Sequence, residues 1–151
     1  MEQPHNLEAE EALLACCLLD NVSYDSISTI VNADDFYSNA NKIIFKGIAK
    51  LCSSGEAFSE LELDELLKRE GTDREAGGLS TIMHLQGQAS SSIQIVSHAK
   101  IIKEKSKLRQ IIRTSRIAIE SATENQDPDV IIADIERAVT ATLDNGSAND
   151  P

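Results

Sequence analysis

The residues best suited to chemistry are few in this chain, and they stand apart. His5, His84 and His98 are isolated in sequence, and no H-E-x-x-H, C-x-x-C or G-x-S-x-G motif occurs. Gly77–Gly78 is followed by Leu and Ser, not by the Lys that a phosphate loop places on a nucleotide. Cys16, Cys17 and Cys52 lack metal-ligand spacing, because adjacent helical residues project about 100° apart and make poor joint ligands. They read as small apolar side chains of a reducing compartment. The acids in Ser59–Glu60–Leu61–Glu62 spell a capping box, S-x-x-E, whose side chains satisfy N–H groups of a helix's first turn. None of this argues for an enzyme, a bound metal or a cofactor in this chain.

The remaining chemistry is charge. The 151 residues carry a net charge of −11, but unevenly. Residues 1–80 hold 16 acids and 6 bases, residues 98–119 hold 7 bases and 1 acid, and residues 120–151 hold 8 acids and 1 base. The basic band contains IKEKSKLRQIIR, residues 102–113. Nucleic-acid binding needs clustered Lys and Arg on one face, which an overall balance of −11 opposes. A basic band between two acidic ones fits pairing within an assembly better.

Composition sets the scaffold that must position these charges. Hydrophobic residues make up 41 %, aromatics only 3 %, and Pro and Gly are sparse, so the core is Leu, Ile, Val and Ala packed between helices. Asn6 caps a first helix with Glu8, Glu10 and Glu11 in its opening turns. Further helices are expected over about 23–31, 38–53, 60–70 and 78–86. Phe36 and Tyr37 are expected to plug the core from a loop, and Leu79, Ile82, Met83 and Leu85 to be buried. No Pro or Gly interrupts 93–124, which reads as a helix of roughly 45 Å. Asp127–Pro128 then opens a last helix to about 143, ending at Asn145–Gly146. The reading is an all-α fold: a compact multi-helix globular head over 1–90, then a C-terminal antiparallel helical hairpin over 91–144. Residues 145–151 are expected to be a disordered tail or the start of a linker. The N-terminus lacks a signal-peptide core and no apolar run reaches the ~20 residues of a membrane span, so the expected setting is cytoplasmic, with no membrane contact.

On a helical wheel, Ile101, Leu108, Ile112, Ser115, Ile119 and Ala122 fall within roughly 80°. Lys100, Lys103 and Lys107 flank this seam on one side, and Lys105, Arg109, Arg113 and Arg116 on the other. Cations bordering an apolar seam on both sides mark a helix buried against a partner, their stems covering its edges. The expected subunit interface is Ile101, Leu108, Ile112 and Ile119 with Ile131, Ile135 and Val139 of the last helix. Lys105, Arg109, Arg113 and Arg116 are its flanking charges.

PHNLEAEEALLACCLLDN, ADDFYSNANKIIFKGIAKL, GGLSTIMHL and SHAKIIKEKSKLRQII occur in the order and spacing of a known family. Over residues 4–143 the chain resembles the N-terminal domain of bacterial replicative DNA helicases of the DnaB type. P-H-N-x-E-A-E and E-K-x-x-x-R are the most specific pieces; the chain departs from the pattern at Ala15, Asn41–Lys42 and Ser59–Glu62. The resemblance implies a helical head and hairpin, with paired hairpins forming dimers and three dimers forming the collar of a hexameric ring. It implies docking of the helicase-binding domain of primase and, in some members, of a loader protein. ATP and Mg, and most DNA contact, belong to a C-terminal motor domain absent here, so this chain alone is expected not to hydrolyse ATP. The alternative is a free-standing helical adaptor or regulator of replication that shares the domain without a motor.

Overall fold

In the computed structural model, which describes residues 2–88 and 94–147, several helices begin where a side chain supplies an acceptor for their free N–H groups. Asn6 accepts from the Ala9 N–H at 2.9 Å and opens α1 (Leu7–Leu19). After α2 (Ser23–Ile27), Asn32 and Asp35 form a reciprocal box around a 3₁₀ turn (Ala33–Asp35). Ser38 accepts from Asn41 N–H and opens α3 (Asn39–Cys52), and the expected Ser59–Glu62 box opens α4 (Glu60–Glu70). Gly71, at φ 74°, ends α4 in the left-handed region that glycine enters freely. α5 (Gly78–Gly87), α6 (Ile95–Thr123) and α7 (Pro128–Ser147) complete the order. No strand occurs among the described residues, and the fold is all-α.

α1 runs through the middle of the head, with Leu13, Leu14 and Cys17 withdrawn from water and packed toward α3, α5 and α6. Desolvation, then neighbouring Cys52 and Cys16, push the Cys17 thiol far above its ordinary value, so it acts as an apolar packing group. α3 adds Ile44, Phe45 and Ile48, α4 adds Leu63 and Leu67, and α5 adds Ile82 and Leu85. α3 and α4 cross closely because Gly47 has no side chain: a Cβ there would lie 2.6 Å from Leu63 Cδ1.

Several expectations need correction. Phe36 plugs the core, but Tyr37 is 41 % exposed and lies flat on His5. Met83 is 53 % exposed, because α5 turns only Ile82 and Leu85 fully inward. α7 does not stop at Asn145–Gly146 but continues to Ser147; one glycine costs a helix only about 1 kcal/mol, too little to end it. The expected head–hairpin division at 90/91 falls in 89–93, outside the described residues, as do 148–151 of the expected tail. Ile95, Ala99 and Ile102 of α6 belong to the head's core.

Beyond Arg109, α6 leaves the head and pairs with α7. Asn125 reverses the chain at φ 60°, a conformation Asn tolerates better than most residues, and Gln126 N–H closes on the Ser121 carbonyl at 3.1 Å. Asp127 Oδ1 then accepts from the Asp129 N–H at 3.0 Å, capping α7 behind Pro128.

Candidate functional site

The basic stretch divides in space. Lys103 points inward, where its ammonium meets Asp35 Oδ2 at 2.8 Å with both side chains buried. Asp35 also accepts from the Asn32 N–H and from the Ser106 hydroxyl, each at 2.8 Å, so its charge is balanced and its lone pairs are used. Arg109, one turn on, donates to the Asp35 carbonyl at 2.6 Å and to the Pro4 carbonyl at 2.8 Å. Its guanidinium lies 5.5 Å from the centroid of the Tyr37 ring, and Tyr37 in turn stacks on His5 at 4.1 Å. Desolvation pulls the Arg109 pKa down, while the carboxylates of Glu10 and Asp35 oppose that shift.

Glu10, 1 % exposed, completes the cluster. Its carboxylate accepts from the backbone N–H groups of Tyr37 and Ser38 at 2.8 and 3.3 Å, and from Asn41 Nδ2 at 3.0 Å. A buried negative charge there sits at the N-terminus of α3, where the helix dipole favours it. The motifs P-H-N-x-E-A-E and E-K-x-x-x-R are therefore one site in space. Pro4 is an acceptor for Arg109, His5 the stacking floor, Asn6 the cap of α1 and Glu10 the clamp on α3. Sequence reading missed Glu10, Asp35 and the inward role of Lys103; the signal available was that Lys103, Ser106 and Arg109 share a helix face with Ala99 and Ile102.

The expected interface residues separate onto two faces of the hairpin. Ile101 packs against the head's core. Leu108 is 39 % and Ile119 66 % exposed, and Ile112 is half-buried; Ile112, Ser115 and Ile119 line a shallow depression beside Ile111 and Arg116. Ile131 and Ile135 turn toward α6, whereas Val139 is 49 % exposed in a row with Ile132 and Leu143. Of the flanking charges, Arg116 lies beside the seam. Arg109 and Arg113 instead line a cleft of about 740 Å³ between α6, α7 and the head. By helical periodicity, the cleft occupies one side of both hairpin helices. The rows Leu108–Ile112–Ile119 and Ile132–Val139–Leu143 lie away from it on their own helices.

This helical head with its projecting hairpin has a solved counterpart. The crystal structure of the N-terminal domain of DnaB helicase from Mycobacterium tuberculosis is similar with a TM-score of 0.87, covering 93 % of this chain and 99 % of that one. At 20 % identity, that likeness is one of fold. A family model for the DnaB-like helicase N terminal domain matches residues 2–104. The chain belongs to that family. The replicative DNA helicase DnaB of Haemophilus influenzae is 34 % identical over 140 residues, and that of Pasteurella multocida 32 %. Geobacillus stearothermophilus DnaB is 29 % identical over 137 residues. These matches cover about nine-tenths of this chain, which spans 30 % of each relative's length.

Proposed function

We propose that this chain is the assembly collar of a ring-forming replicative helicase, joining subunits through the open apolar rows of its hairpin. The observation that carries this reading is the pair of open apolar rows, Leu108–Ile112–Ile119 on α6 and Ile132–Val139–Leu143 on α7, each turned away from the cleft by helical periodicity. A soluble surface seldom leaves such apolar rows without a partner. Two such faces would pack as a four-helix interface, the dimer from which a trimer of dimers is built. Lys105 and Arg116, at the seam's edge, would lie over it with their stems. The unwinding motor, with ATP and Mg, belongs to the rest of the parent helicase, because the sequence holds no phosphate loop. Primase, through its helicase-binding domain, and a loader are the outside partners of this collar, and DNA is contacted mainly by the parent ring.

Light scattering on the isolated chain tests the assembly step. Self-association is expected at tens of micromolar or above, about −6 kcal/mol of binding. Replacing Ile112 and Ile119 by Asp should leave only monomer, with helical content unchanged. Assembly that survives both changes would place the contact on a different face.

A further inference from the structure

The cleft between α6, α7 and the head is separate from the assembly face, and it concentrates cations in an acidic protein. Lys42, Arg109, Arg113 and Arg137 line it against two acids, Asp34 and Asp134, in a chain whose net charge is −11. Arg109 is committed to Pro4 and Asp35, and Arg137 to Asp134 at 3.0 Å. Lys42, from α3, and Arg113, from α6, have no ion-pair partner among the described residues. Arg113 also lies near enough to Arg109 to disfavour its charge, an arrangement that a counter-charge in the cleft would relieve. Beneath the cations the wall is apolar and small: Ile117, Ile131 and Ile135 with Ala118, Ala138 and Ala141.

We propose that this cleft docks an acidic amphipathic helix of a partner protein, its apolar stripe on the isoleucines and alanines and its carboxylates on Lys42 and Arg113. A helix laid in a groove between two others needs small residues where backbones approach and larger apolar ones where a stripe is buried, and this wall supplies both. Charge complementarity selects an acidic helix over a basic one. Single-stranded nucleic acid is disfavoured because no aromatic side chain among the described residues lines the cleft to stack bases, and its two acids would repel phosphates. By helical periodicity the cleft residues and the apolar rows lie on different sides of each hairpin helix, so the proposed pairing of hairpins would leave the cleft accessible.

The test uses the whole chain and three fluorescent probes read by anisotropy. One is an acidic amphipathic peptide of about 15 residues, long enough to form a helix. The second is the same peptide with each Glu replaced by Lys, and the third is an oligothymidylate. The acidic peptide should bind saturably and more weakly as salt rises, and the basic peptide should not bind. Lys42→Glu with Arg113→Glu should weaken the acidic peptide by about tenfold, as expected for losing two partly exposed ion pairs. Neither cation has an ion-pair partner among the described residues, so the variant should unfold at no lower denaturant concentration than wild type. Ala138→Phe should block the peptide by filling the wall without a change of charge. Equal binding of both peptides, or undiminished binding by the charge-reversed variant, would overturn the proposal, as would binding of the oligothymidylate alone. Light scattering on the same samples keeps the assembly reading separate, since loss of self-association would leave peptide binding intact.

Discussion

α6 lives in two environments, and its halves handle the same residue types in opposite ways. In the first half, Ile95, Ala99 and Ile102 are almost fully withdrawn from water, and the cation and hydroxyl beside them, Lys103 and Ser106, both reach Asp35. In the second half, Leu108, Ile111, Ile117 and Ile119 are exposed, and Arg113 and Arg116 have no ion-pair partner among the described residues. The first half is complete in a single chain. The second leaves apolar surface and charge open to water, and this is the physical distinction between a core and a surface available for docking.

The sharpest way to break the contrast is to remove a charge from the completed half. Lys103→Met leaves the Asp35 carboxylate buried without its counter-ion, and unfolding in urea should show a loss of about 3–5 kcal/mol. Arg116→Met, on the open half, should stay within about 0.5 kcal/mol of wild type. Equal costs for the two would mean that the halves do not differ in kind. Glu10→Gln comes next, since it replaces a carboxylate that accepts three hydrogen bonds by an amide that must turn one donor toward them. A loss of about 1–3 kcal/mol is expected, with faster amide exchange at Tyr37 and Ser38. An unchanged exchange rate at those two amides would show that Glu10 does not hold α3.

What the sequence revealed and concealed follows the same line. Asn6, Ser38, Ser59, Gly71 and Asp127 act within a few residues of themselves, so the all-α reading and most helix starts followed from local chemistry. The cluster around Asp35 was hidden because Ser106 is 71 residues away, and nothing local marks a polar residue as buried. On the wheel of α6 the most apolar stripe, Ile101–Leu108–Ile112–Ile119, read as the face for a partner subunit, and nothing marked which face the head takes. In the folded chain the head takes the stripe carrying Lys103, Ser106 and Arg109, which the head's own carbonyls and carboxylate satisfy. Beyond Ile101, which packs on the head, the apolar stripe is left outside. Met83 and Tyr37 were misplaced for the converse reason: an apolar or aromatic side chain in a short element does not say which neighbour is close enough to cover it.

The hairpin's openness allows a milder test. At concentrations too dilute for assembly, Ile119→Asp should change the unfolding free energy by no more than about 0.5 kcal/mol, because its side chain already faces water. The same change at Ile102, in the completed half, should abolish folding. If Ile119→Asp also unfolded the monomer, its exposure in the single chain would be wrong, and the assembly face with it.

The smallest effect lies in the head's own surface. Glu62 is fully exposed, yet its carboxylate accepts from the Ser59 hydroxyl and, at 2.6 Å, from the Ser59 N–H, and these bonds hold its pKa below the ordinary glutamate value. A depressed folded pKa contributes stability that is present above the unfolded value and lost as pH falls through the folded one. The Ser59 amide resonance should therefore shift with a midpoint below that of a free glutamate, and the start of α4 should fray on the acid side of it. Glu62→Gln can still accept from the Ser59 N–H, as capping boxes with Gln do, so it should keep much of the cap while losing the pH dependence. A Ser59 midpoint at the ordinary glutamate value would show that the box does not persist in solution. The start of α4 would then be as open as the outer face of the hairpin.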